Sequence, residues 1–238
     1  MTDKPILFSA PMVLALLEGR KTQTRRVLKL PTQGEYTYRG GWEPTTNGGG
    51  GVFTFGKNGE RIPCPETIGI WNQTTGTYVD APWQIGDRLW VREAFTQVGE
   101  QEWLLYRADG YESECARHGF DKSYPAEKLV KWKSPIFMAR AFSRLTLTVT
   151  GVKIQRLQDI NEEDAIEEGV ELDRCCGSPH REGFPSSSCC GQPDMTDPVE
   201  EYRILWNNIN GPCSWDENPW VIALTFDVHR GNIDEVKP

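Results

Sequence analysis

Gly19-Arg20-Lys21-Thr22-Gln23-Thr24-Arg25-Arg26 closes the first regular stretch of this chain, and its reading decides the fold. Upstream, Ile6 to Ser9 has the composition of a short buried strand. Ser9 then serves as an N-cap, Pro11 fits a first turn, and Met12 to Leu17 is almost wholly apolar. That pattern predicts a buried helix stopped by Gly19. The loop after it holds Arg20, Lys21, Arg25, Arg26 and Lys29 with no acid between them. A solvated turn is one reading. The other is a site: glycine lets backbone approach a ligand, lysine loses its proton when desolvated, and the hydroxyls of Thr22 and Thr24 stand beside it.

The background against which this loop stands is acidic. The 238 residues carry a formal charge of -8, which argues against holding long nucleic acid mainly by phosphate neutralisation and favours a small ligand or a short RNA contact. With 38% hydrophobic residues and nine Trp the chain can bury a core. No run approaches the roughly 18 apolar residues of a membrane span, and the N-terminus lacks the features of an export signal, so no membrane and a cytoplasmic location are expected. Seven cysteines without such a signal read as thiols or metal ligands rather than a disulfide framework.

Along the chain, residues 31–85 are rich in Gly, Thr, Asn and Pro and read as a surface insertion. Arg88 to Phe95 resumes a strand after the Gly86-Asp87 turn, with Trp103 to Tyr106 as its neighbour. Residues 110–133 are polar and peripheral, and Ile136-Phe137-Met138 starts another strand. Arg144 to Val152 alternates Leu145, Leu147 and Val149 with Thr146, Thr148 and Thr150, the pattern of a half-buried strand. Asn161 caps a short acidic-started helix that runs to Glu168 and stops at Gly169. A second insertion fills 170–197. Asp197 caps a helix with Pro198 first, Glu200 placed for a capping box, and a stripe of Val199, Tyr202, Leu205, Trp206 and Ile209. Trp220 to Val228 is a last strand. Several strands and three short helices, without regular alternation, predict α+β or a small barrel.

The motif Lys21-Thr22-x-Thr24-x-Arg26 after a strand and short helix resembles the signature of the ASCH family, within the PUA-like superfamily. It is similar in particular to bacterial N(4)-acetylcytidine amidohydrolases, whose Gly-Arg-Lys-Thr-x-Thr-x-Arg stretch is repeated at Gly19 to Arg26. Many ASCH proteins have a glutamate where Thr24 stands. The resemblance extends to the Gly86-Asp87 turn and its strand, the strand from Arg144, the helix ending at Glu168 and the last strand. The insertions at about 31–85 and 170–197 have no counterpart in the minimal enzymes. Gly86 to Glu93 and Asn218-Pro219-Trp220 look like a larger group often encoded by phages and prophages. What the resemblance implies is a PUA-like β-barrel with short flanking helices, one domain over 1–230, and a C-terminal tail over 231–238.

For activity, the resemblance implies removal of an acetyl group from the exocyclic nitrogen of cytidine. It makes Lys21 the base, Thr24 the nucleophile or the holder of an attacking water, and Glu168 the proton shuttle. No cofactor is required for that chemistry. Arg26 is the expected ligand contact, with Arg20 and Thr22 beside it, while Arg20 and Arg25 read equally well as surface charge. Arg88 is a possible phosphate contact, although Gly86 to Glu93 reads first as scaffold. Trp90 stacks a base or packs in the core, and Trp132 lines the pocket in the same resemblance. A non-catalytic module for RNA or a modified nucleotide, and an ASCH-type ribonuclease, are the other functions the resemblance leaves open. Finally, Cys175, Cys176, His180, Cys189 and Cys190 offer five soft ligands in the second insertion. A structural zinc and free thiols both fit them, since adjacent cysteines ligate one tetrahedral ion awkwardly.

Overall fold

The computed structural model describes residues 3–31, 41–98, 103–119, 130–170 and 197–236. Its elements begin with β1 (Asp3–Leu7), α1 (Ala10–Leu17), β2 (Gln23–Val27), β3 (Trp42–Asn47), β4 (Phe53–Phe55), β5 (Arg61–Pro63) and β6 (Thr67–Asn72). They continue with β7 (Thr77–Asp80), β8 (Arg88–Arg92), β9 (Phe95–Val98), β10 (Trp103–Tyr106) and α2 (Tyr111–Arg117). The last are β11 (Leu145–Arg156), α3 (Glu162–Glu167), α4 (Pro198–Asn210) and β12 (Trp220–Arg230). The fold is α+β and mostly strands, grouped in several sheets. The five-stranded sheet runs in the open order β1-β8-β11-β12-β2, so the expected barrel is not closed among the described residues. No described helix is long and apolar enough to cross a membrane.

Two compact units divide the chain, and the boundary falls inside the basic loop, between Thr22 and Gln23. The first unit holds residues 1–22, 82–152 and 224–238. In it β1 lies parallel to β8, with Asp3 opposite Arg88 and Leu7 opposite Arg92, and β8 pairs antiparallel with β11. Ile6, Phe8, Val13, Leu16, Leu89, Val91, Leu145 and Leu147 are buried together at the strand and helix faces that the apolar periodicity marks. The expected single strand from Arg88 to Phe95 is split: β8 ends at Arg92 with β1 and β11 as neighbours, and β10 pairs with the separate β9, which begins at Phe95. Thr146 departs from the alternation: it is buried, and its hydroxyl donates to the carbonyl of Gly231 at 3.1 Å. Residues 231–236, expected as part of a tail, are packed here through buried Ile233 and the bonds of Asn232 to the carbonyls of Arg140 and Ser143.

Two expectations for this unit change. Pro135–Phe137 is a 3₁₀ turn rather than the start of a strand, because proline fixes φ and cannot donate to a ladder. The polar stretch after Gly110 forms α2, whose Glu114 is buried: its carboxylate accepts from the Tyr106 amide at 2.9 Å and from Arg117. This makes four α-helices among the described residues where three were expected.

The second unit holds residues 23–81 and 153–223. The first insertion is not featureless: β3, β6 and β7 form an antiparallel three-stranded sheet and β4 pairs with β5. Leu157, Ile160, Ala165, Tyr202, Trp206, Trp215 and Val221 make one core cluster, with Val199 and Leu205 packed against it. The stripe of α4 therefore holds except at exposed Ile209. The cap holds too, with the Asp197 carboxylate accepting from the Val199 amide at 2.9 Å. Glu200 does not close a capping box; it takes both Nε and Nη2 of Arg203 instead.

Candidate functional site

Helix α1 ends as its sequence predicts, and the ending sets the path of the basic loop. Gly19 adopts φ +73°, a conformation that costs a side-chain-bearing residue, and the chain folds back on the last turn. The amides of Arg20 and Lys21 both donate to the Ala15 carbonyl, at 2.9 and 3.1 Å. Lys21 emerges from this turn completely buried, its ammonium 5.8 Å from the centre of the Phe8 ring in the first unit. A buried lysine is the opposite of a solvated turn. Arg20 stays on the surface and pairs with Glu18, while Thr22 is half-buried and its carbonyl accepts from the Phe226 amide at 3.0 Å.

Strand β2 carries the remainder of the motif in the second unit. Gln23, Thr24 and Arg25 are all buried, so both faces of the strand are covered. Side chains alternate along a strand, which puts Gln23 and Arg25 on one face and Thr24 and Arg26 on the other. The first face meets α3. The Arg25 side chain has no solvent exposure; Nη2 donates to Asp164 Oδ2 at 2.6 Å, and Nη1 donates to Gln23 Oε1 at 2.5 Å and to Glu168 Oε1 at 3.3 Å. Gln23 Nε2 in turn donates to Asp164 at 3.2 Å and to Glu167 at 3.0 Å. The reading of Arg25 as surface charge is thus corrected. Packing of α3 against β2 desolvates it, and carboxylates one helical turn apart supply its counter-charge.

Glu168 occupies the helix end foreseen for it. Asn161 caps α3 by accepting from the Asp164 amide at 2.7 Å, Glu168 is the C-cap, and Gly169 leaves the helix at φ +83°. The Glu168 side chain is 3% exposed, and the Tyr202 hydroxyl donates to its Oε1 at 3.5 Å. Burial, and then the Glu168 charge, push the Tyr202 phenol well above its ordinary range, with Arg25 and Arg26 opposing. Tyr202 is therefore a fixed donor. Burial likewise lowers the Arg26 guanidinium, and Glu168 and Tyr202 act the other way. Tyr202 and Arg25 are the members of this cluster that the sequence reading did not select. The signal for Tyr202 was a hydroxyl in an otherwise apolar stripe; for Arg25 it was the two-residue spacing from Gln23.

Chemically, this cluster is a carboxylate withdrawn from water, oriented by a cation and a phenol, below a strand that also carries a buried threonine. Compared with protein-family models, curated proteins and solved structures, the chain matches none.

The other expected residues lie elsewhere. Arg88 in the first unit donates through Nε and Nη2 to the two oxygens of Asp3, both at 2.9 Å, and through Nη1 to the carbonyls of Ile233 and Val236. It anchors chain segments to one another, which accounts for it without a phosphate. Trp132, also in the first unit, is half-buried. Cys175, Cys176, His180, Cys189 and Cys190 lie outside the described residues. Cys64, Cys115 and Cys213 are free thiols, and no group of metal-ligating side chains occurs among the described residues.

Proposed function

We propose that this protein is an ASCH-type, PUA-like protein acting on nucleosides or RNA, an amidohydrolase that removes the acyl group from the exocyclic amine of a modified cytidine. The observation that carries the reading is Glu168: a buried carboxylate at a helix end, held by Tyr202 and by Arg25, which lies on the strand that bears Thr24. An amide needs an activated nucleophile, a stabilised oxyanion and a proton for the departing nitrogen. In this reading Lys21, desolvated, accepts the proton from the Thr24 hydroxyl or from a water that Thr24 holds. The C–N bond breaks, and the proton returns to the leaving amine through Glu168. Water completes the balance, giving cytidine and acetate from N(4)-acetylcytidine. Arg26 steadies the base or the oxyanion.

Incubation of the full chain with N(4)-acetylcytidine, followed by chromatography of released cytidine, tests this. Wild type should release cytidine, and Lys21→Ala, Thr24→Ala and Glu168→Gln should each lower the rate by roughly a hundredfold or more, the scale of lost general acid–base or nucleophilic catalysis. A covalent acetyl group on Thr24, caught by mass spectrometry after rapid acid quench, would separate direct attack from attack by water. Folded wild type that releases no cytidine would sink the amidohydrolase reading for this substrate; retained nucleoside binding would then favour the non-catalytic module.

A further inference from the structure

The charge of this chain is segregated in a way the candidate site does not use. Between Glu127 and Asp159 there is no acidic residue, while Lys128, Lys131, Lys133, Arg140, Arg144, Lys153 and Arg156 fall in that interval. Two of these cations are neutralised within the first unit: Arg140 by Asp3 and Asp234, and Arg144 by Glu93 and Asp109. Others are not. Lys131 and Lys133 are exposed; Lys133 joins β9 through a bridge to Phe95, and its ammonium donates to the neutral Gln97 Oε1 at 2.9 Å.

A few residues on, the same segment presents its largest apolar side chains to water. Phe137 is 73% exposed and Ile136 58%. The backbone beneath them is held firmly. Pro135 opens the 3₁₀ turn, Phe137 donates to the Ser134 carbonyl at 3.0 Å, and Arg92 donates to the carbonyls of Pro135 and Ile136. Those acceptors carry no charge to cancel that of Arg92, whose guanidinium lies 5.2 Å over the Trp90 ring. The result is a fixed ring standing out beside a guanidinium–indole stack, with two lysines farther along the same segment.

We propose that Trp90, Arg92, Lys131, Lys133, Ile136 and Phe137 form a binding surface for single-stranded nucleic acid. The lysines and Arg92 meet backbone phosphates, and Phe137 and the Arg92–Trp90 stack offer faces for bases, the pairing of cations with stacking platforms on which sequence-tolerant strand binding rests. The surface belongs to the first unit and does not depend on the deacylation reading. It adds to that reading a polymer rather than a free nucleoside as the bound form.

The test uses the full chain and fluorescence anisotropy with a short labelled oligouridine and its deoxythymidine counterpart over a range of salt. Wild type binds one or both. Phe137→Ala weakens binding roughly tenfold, as the loss of one base–aromatic stack should. Lys131→Glu with Lys133→Glu weakens it further and reduces the slope of log affinity against log salt by roughly 1.4. Phe55→Ala, an equally exposed ring in the second unit, leaves it unchanged and controls for nonspecific loss. Circular dichroism verifies folding, and turnover of free N(4)-acetylcytidine by Phe137→Ala keeps this question separate from catalysis. Absence of binding to both oligonucleotides, or binding undiminished in both variants, overturns the proposal. So does a wild-type dimer in sedimentation equilibrium that Phe137→Ala dissociates, which would make the patch a contact between copies.

Discussion

Replacing Arg25 with methionine removes a charge but keeps most of the side-chain volume, and so isolates the electrostatic work done at the centre of the second unit. Arg25 has no solvent exposure, and it spans Gln23, Asp164 and Glu168 from one planar group. Its loss leaves the Glu168 carboxylate, 3% exposed, without that cation, whereas Asp164, 18% exposed, recovers part of its hydration. Breaking a buried pair from one side costs about 3–5 kcal/mol; the partial exposure of Asp164 puts the expected value near the lower end, about 3 kcal/mol. For a chain of this size that lowers the melting temperature by about 6–12 °C. The assay is urea and thermal unfolding followed by tryptophan fluorescence at neutral pH. Arg25→Met combined with Glu168→Gln should recover about half of the loss, because the orphaned charge is then gone as well. Arg25→Lys should recover less than the double variant, since one ammonium cannot make the forked contacts. A loss under about 1 kcal/mol for Arg25→Met, or costs that simply add in the double variant, would refute the argument that this guanidinium balances Glu168.

Arg144→Met should show a pH-dependent cost. Burial raises the Glu93 carboxyl even against the bonds Arg144 makes to it, so without Arg144 the ionised form becomes harder still to bury. A raised carboxyl loses folded-state stability as pH rises through its titration; the variant should therefore be most destabilised above the raised titration of Glu93 and approach wild type as pH falls through it, as paired urea titrations will show. Asp3→Asn probes the opposite sign. Hydrogen bonds from Arg88, against the opposing effect of burial, and then from Arg140, hold the Asp3 carboxyl below its usual value, so wild type should exceed the variant by about 1–3 kcal/mol above pH 4. That margin should vanish as pH falls through the depressed titration, and a constant difference down to pH 2 would contradict it. Gly69→Ala should destabilise the β3-β6-β7 sheet by more than about 1 kcal/mol, because the added methyl would sit 2.5 Å from the Val79 carbonyl oxygen; an unchanged melting curve would count against that register.

Much of the local structure was legible because it is written in short-range chemistry. The stop of α1 at Gly19, the caps of α3 and α4 and the apolar alternation of β11 each depend on residues within a few positions of one another. Expectations failed where a distant segment decided. Residues 231–236 bury Thr146 and occupy Arg88, and α3 buries Arg25; each of these partners lies at least 85 residues away in sequence. Three strands of the first insertion, β3, β4 and β5, are mostly exposed, β4 and β5 wholly so, which removes the contrast that marks a strand.

For the basic loop, sequence by itself determined the glycine turn and the presence of a lysine, two threonines and paired arginines next to it. Tertiary structure decided their environments. Lys21 and Arg25, both long cations that belong in water by default, are buried completely, while Arg20 between glycine and Lys21 remains at the surface beside Glu18. The physical reason is that charge is a local property of a residue, whereas desolvation and counter-charge come from whatever packs against it; for Arg25 these are the acids of α3, more than 130 residues away.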